Sequence, residues 1–167
     1  MTIVAEPCAF AQLPEALQAR WIAHSRALLD SFLARVGKEL VERGGDARQE
    51  AERLFDAPFV AVSHGAEADP LLNYGNAAAL SLWELSPSTL IATPSRLTAE
   101  AELREAREHV LAETARKGHV SGYTGVRMSK TGRRFRILDV TVWNVTDADG
   151  RSLGQAATFA HWEPLES

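Results

Sequence analysis

Residues 133–146 read Arg133-Arg134-Phe135-Arg136-Ile137-Leu138-Asp139-Val140-Thr141-Val142-Trp143-Asn144-Val145-Thr146. β-branched and aromatic side chains crowd this stretch, the composition of a strand. Its odd positions Phe135, Ile137, Trp143 and Val145 are apolar, and so are the even positions Leu138, Val140 and Val142. A strand apolar on both sides has to be covered on both. The segment is therefore the middle of a sheet with a layer on each face. Stretches 120–129 and 153–163 have the same character, and they join it through Ser129-Lys130-Thr131-Gly132 and Asp147-Ala148-Asp149-Gly150. Both tetrapeptides suit hairpin loops, so the C-terminal part is an antiparallel meander.

Working towards the N-terminus, Thr98 caps a helix over 99–117, with Glu100 and Glu102 in its first turn and Gly118 as its stop. Asn76 caps a shorter helix over 77–85, which Pro87 ends. Two short strands precede it at 59–62 and 71–74. Residues 12–43 form an amphipathic helix: Leu17, Trp21, Leu28, Phe32, Val36 and Leu40 recur on one side, and Ile22, Leu29 and Leu33 widen the stripe. Gly37 weakens its middle and Gly44-Gly45 stops it. A second helix runs from Asp46 to Leu54. The long N-terminal helix covers the face of Leu138, Val140 and Val142, and the small central helices cover the other. The prediction is an α+β fold, a five-stranded antiparallel sheet between two helical layers, forming one domain over 12–167 with residues 1–11 frayed.

Composition narrows the function. A chain of 167 residues with 46% hydrophobic and 24% charged residues is an ordinary globular domain. A net charge of −4 argues against sequence-independent nucleic-acid binding, which depends on neutralising phosphates. The single cysteine, Cys8, forms no internal disulfide and suits a reducing cytosol. No signal peptide and no membrane-length apolar run is visible, so a cytoplasmic protein is expected.

The stretch Leu71-Leu72-Asn73-Tyr74-Gly75-Asn76-Ala77-Ala78 resembles the second strand and helix opening of the PAS fold, and the order of elements is similar too. More specifically, the chain resembles the MEKHLA domain, a PAS-like family. The resemblance lies in His24 to Phe32, Asn73 to Trp83, Pro94 to Glu100, and Gly122 to Arg127 through Phe135, Trp143 and Gln155-Ala156, and it spans about 20–163. It implies a stand-alone bacterial member of a family also found at the C-terminus of plant homeodomain–leucine-zipper transcription factors. These 167 residues hold neither homeodomain nor zipper, so that role does not carry over. The fold family implies a sensory module that binds a small molecule or cofactor between helices and sheet, or that mediates homodimerisation or partner binding. No catalytic residue set comes with it.

The residues themselves leave several readings open. The five histidines His24, His64, His109, His119 and His161 show no metal-ligand spacing. His109, on the long helix, could reach a PAS pocket as an axial haem ligand; the alternative is a surface or hydrogen-bonded histidine. No nucleophile elbow, phosphate loop or dinucleotide fingerprint occurs. Gly122 and Gly125 lie within a strand, where glycine marks a bulge or a close backbone approach. Arg127, Arg133, Arg134 and Arg136, with Lys130, concentrate charge around one hairpin: either an anion or acidic-partner patch, or a solvated turn whose charges guard an edge. Asp139 and Thr141 interrupt an apolar strand face. With Thr124 beside them they read as the polar groups of a ligand pocket walled by Val126, Ile137 and Trp143, with Trp83 and Tyr74 from the helical side. The alternatives are a filled core serving protein interaction, and a small enzyme with Asp139 buried beside a histidine.

Overall fold

The computed structural model describes residues 8–100 and 103–166. Helix α1 (Glu15–Val36) is followed by α2 (Ala47–Phe55), strands β1 (Val60–His64) and β2 (Leu72–Gly75), and short helices α3 (Ala77–Trp83) and α4 (Pro87–Leu90). A 3-10 turn (Ser95–Thr98) leads to α5 (Arg104–Lys117) and then to β3 (His119–Met128), β4 (Arg134–Thr146), β5 (Ser152–Phe159) and β6 (His161–Pro164). The strands form an antiparallel sheet in the order β2-β1-β5-β4-β3. The segment expected as one strand over 153–163 breaks at Ala160, so that β6 continues beside the start of β4.

Local chemistry explains most boundaries. Asp46 accepts from the Gln49 backbone N–H and Gln49 returns the bond, a reciprocal cap for α2. Asn76 caps α3 through the Ala79 N–H, and its amide also bonds the Leu54 and Phe59 carbonyls. The first helix is shorter than expected. Gly37, at φ 87, is its left-handed C-terminal residue rather than a weak interior position, so 38–43 lie outside the helix. Thr98 does not cap α5; its hydroxyl donates to the Ser95 carbonyl inside the 3-10 turn, and the helix begins at Arg104. Glu102 lies outside the described residues. Pro87 opens α4 at its first turn instead of merely ending α3. Residues 1–7 of the segment expected to fray also lie outside the described residues; in the rest of it Phe10 is buried edge-on against Phe55, while Ala9 and Ala11 are exposed.

The central strand carries the decisive irregularity. Register along β3 and β4 slips between Val120 and Tyr123, and slips back between Tyr123 and Gly125. Each slip has a left-handed residue: Gly122 (φ 76) on β3 and Asp139 (φ 52) on β4. Each strand thus inserts one extra residue opposite the other, and the two insertions cancel. Alternation reverses across Asp139. Phe135 and Ile137 share the inner face with Val140 and Val142, and Trp143 and Val145 turn to the outer face.

Helix α1 packs on that outer face. Trp143 is fully buried there, edge-on to Phe32 at 4.9 Å, with its Nε1–H donating to Ser31 Oγ at 3.0 Å. Trp21 lies edge-on to Tyr74 at 5.0 Å and donates to the Asn73 carbonyl. The helix therefore covers Trp143 and Val145, not Val140 and Val142 as the unbroken alternation predicted. Among the described residues no helix is long and apolar enough to cross a membrane.

Candidate functional site

Between the inner face of the sheet and the helices that cover it lies a cavity of about 60 Å³. Its sheet wall comes from paired positions: Val62 with Ala157, His64 with Gln155, and Val142 with Ala157. Val140, Ile137 and Tyr123 continue the wall. Trp83 closes one side, edge-on to Phe135 and Phe159. Helix α5 supplies Arg107, Val110 and Leu111, one stripe of its surface, with Thr114 a turn further on and fully buried.

The polar groups of this mostly aliphatic cavity are unusual. Arg107 and Arg127 both line it and are only 5% and 9% exposed. Arg107 donates to Ser95 Oγ, and its one carboxylate contact among the described residues is Glu108 at 3.3 Å, a side chain 65% exposed. Burial, and then repulsion from Arg127, pull its pKa down from 12.5 to about 10, which still leaves it charged at neutral pH. Arg127 lies over the Tyr123 ring at 5.7 Å and donates to the Val126 carbonyl. Gly125 makes that stacking feasible: a Cβ there would meet the Tyr123 hydroxyl at 2.6 Å and the arginine at 3.0 Å.

His64 donates from Nδ1 to the Gly65 carbonyl at 3.0 Å, which leaves Nε2 as an acceptor without a partner among the described residues. Desolvation holds its pKa below the usual histidine value, so the ring is neutral. The Trp83 Nε1–H is likewise buried and unpartnered. Behind β1, His24 Nε2 lies 2.9 Å from Ser63 Oγ, whose own proton goes to Asn73 Oδ1 at 2.5 Å. That order makes His24 the donor, and desolvation, reinforced by Arg20, lowers its pKa to about 4.

The residues singled out from the sequence separate in space. Trp83 and Ile137 line the cavity. Tyr74 packs under α1 against Trp21. Trp143 is on the outer face, because the bulge at Asp139 reverses the parity on which its placement rested. Asp139 is exposed, and Thr141 bonds Ser121 rather than reaching inwards. Thr124 and Val126 fall on the far side of β3 from Tyr123, Gly125 and Arg127. The arginine cluster divides as well. Arg133 pairs with Glu84, Arg134 with Glu100 and Arg136 with Glu163, so these three charges are matched locally and Arg127 alone turns inwards. His109 is exposed on α5 and is not part of the cavity wall, which removes it as a haem ligand there. Arg107 and His64 went unrecognised as site residues. Arg107 occupies the same helical stripe as Val110, Leu111 and Thr114, a spacing that places it inside.

The architecture, an antiparallel sheet with small helices and one longer helix over a cavity on one face, defines a PAS-like fold. Solved structures agree. A PAS domain from Colwellia psychrerythraea aligns with a TM-score of 0.58 at 13% identity, covering 71% of this chain and 95% of that one. A Light-Oxygen-Voltage domain studied with a flavin analogue gives 0.55 at 13% identity, over 71% and 86%. The blue-light activated histidine kinase of Erythrobacter litoralis gives 0.53 at 17% identity, over 70% of this chain and 36% of that one. At such identities the likeness is one of fold. The MEKHLA domain model matches residues 22–164, and the chain belongs to the MEKHLA family. No curated protein matches the sequence significantly. A flavin-sized group does not fit here: about 60 Å³ stands against ~300–1,000 Å³ for pockets that hold larger ligands.

Proposed function

We propose that this chain is a PAS-like sensory or regulatory module that binds a small molecule in the cavity beneath α5 and passes its occupancy to a partner or a second copy. Residues 12–167 act as one unit, with α1 as an integral layer. The carrying observation is Arg107, a charged side chain buried in the wall of a mostly apolar cavity. Buried charge is costly without a partner, so a protein that keeps it there has a use for it.

Binding rather than catalysis is the reading these groups support. Ser63 and His24 are the nearest approach to a nucleophile and base. The serine is 1% exposed, its proton is committed to Asn73, and the histidine already carries its proton on the facing nitrogen. Asp139, the acid an enzyme reading required, faces solvent.

A thermal-shift screen of common metabolites tests the proposal, because a ligand at about 100 times its Kd stabilises the native state by roughly 2.7 kcal/mol. Compounds that raise the melting temperature of the wild type, but not of a cavity-filling Ala157→Leu variant, are the expected result. If no compound moves the wild type, or all active compounds move both equally, a filled domain serving protein interaction is the better account.

A further inference from the structure

We infer that the ligand of this cavity is a short aliphatic carboxylate, held by Arg107 and Arg127 with its hydrocarbon part against the valines of the sheet and α5. The inference rests on the ligand-binding reading above and specifies its chemistry.

The first support is an imbalance of charge. Two guanidinium groups meet at one cavity, where Arg127 weakens the hold of Arg107 on its proton, and no buried carboxylate faces either among the described residues. Arg127 forms no ion pair within them, and Glu108 holds Arg107 only from the solvent side. Nearby, the histidine is neutral and the tryptophan offers an unused N–H. The cavity therefore has donors and positive charge in excess. Elsewhere Arg43 has Asp30 and Glu50, and Arg133, Arg134 and Arg136 have Glu84, Glu100 and Glu163. Arg20, Arg26, Arg35, Arg116 and Arg151 have no ion pair among the described residues, but they are exposed to water, whereas the cavity arginines are buried.

The second support is the rest of the lining. Val62, Val110, Ile137, Val140 and Val142 are apolar, and the polar members Ser63, Thr98 and Gln155 already donate within the protein, which leaves few donors for the remaining oxygens of an inorganic oxyanion, oxygens that need hydrogen bonds on every side when buried. A carboxylate concentrates its charge at one end, where a planar guanidinium can bond both oxygens, and leaves an apolar tail for the valines. Size sets the class. A cavity of about 60 Å³ is small against the ~300–1,000 Å³ of pockets for larger ligands, which calls for a short chain, and propionate serves as its probe.

The test is an amide-resolved NMR titration of the full chain with sodium propionate, its neutral isostere propionamide and sodium phosphate, each at fixed ionic strength. Propionate should shift cavity residues of β1, β3 and α5 saturably, and propionamide should bind at least about tenfold more weakly, as loss of a charge-assisted pair implies. Phosphate should not compete. Arg107→Gln and Arg127→Gln should each lose the propionate response while melting no lower than wild type, since each relieves a buried repulsion. A structural arginine would instead lower the melting temperature. Equal binding of propionamide, or displacement of propionate by phosphate, would overturn the carboxylate assignment. If propionate is inert while the metabolite screen finds a neutral ligand, this inference fails and the sensory reading stands. If neither experiment finds a ligand, both fall.

Discussion

At Asp139 the backbone takes φ 52, a conformation that costs an L-residue roughly 1–2 kcal/mol and that aspartate tolerates better than most. The carboxylate faces solvent, so the residue is there for its backbone. Asp139→Gly should leave stability unchanged or raise it, and Asp139→Val should lower it by about 1–2 kcal/mol; chemical denaturation measures both. Trp143 and Arg133 sit at the opposite extremes of burial. Trp143→Ala removes a fully buried ring and its bond to Ser31, at roughly 3–5 kcal/mol. Arg133→Ala removes a side chain 75% exposed and should stay within about 0.5 kcal/mol. Equal losses would mean that the strand is misplaced. His24 supplies a pH signature. Its folded pKa, about 4, lies below the unfolded value of 6.5, so below pH 6.5 the unfolded chain binds a proton that the folded one refuses. This contribution is complete above 6.5 and is lost as pH falls towards 4, by roughly 3 kcal/mol for the full shift. His24→Gln should flatten that part of the stability–pH curve; an unchanged slope would assign the acid sensitivity elsewhere.

Among the elements, what the sequence reveals and what it hides have the same physical origin. The first two strands of the meander, its hairpin loops and the caps at Asp46 and Asn76 rest on local chemistry, and they lie within a residue or two of where that chemistry puts them; the third strand breaks at Ala160, which no local signal marks. Side-chain parity along β4 depends on one backbone dihedral, and a single inserted residue exchanges the two faces. Asp139 was visible as an interruption, but a polar residue in a strand signals a pocket group and a bulge equally well. The end of α1 was hidden for a related reason: Gly37 reads as a tolerated interior glycine unless its left-handed conformation is known. Helix α1 itself covers Trp143, Val145, Tyr74 and Ala61. A chain lacking residues 1–44 exposes that face as one apolar surface, and size-exclusion chromatography should find it aggregated or dimeric. A soluble, monomeric, cooperatively folding truncation would show that α1 is dispensable to the unit.

For the molecule as a whole, the two layers have different work. The outer layer, α1 on the sheet, is a core built around Trp21 and Trp143, each edge-on to another ring. The inner layer, α5 and the short helices, leaves a small cavity with two arginines in its wall. The layered fold was legible because hydrophobic pattern determines layers. The cavity was legible only in part, through Trp83 and Ile137, because Arg127 reads as part of a hairpin patch and the other members come from parity beyond the bulge and from a stripe of α5 on which only His109 was considered. A buried arginine on an otherwise apolar stripe is the signal that could have found Arg107. Its contact with Ser95 ties α5 to the 3-10 turn before it, so occupancy has a direct route to both elements. The most direct measurement is a high-resolution crystal structure of the protein purified natively and crystallised without added organic acids. The account predicts density for a small planar acid in contact with the Arg107 guanidinium. A cavity occupied only by waters bridging Arg107, Arg127 and His64 would contradict it.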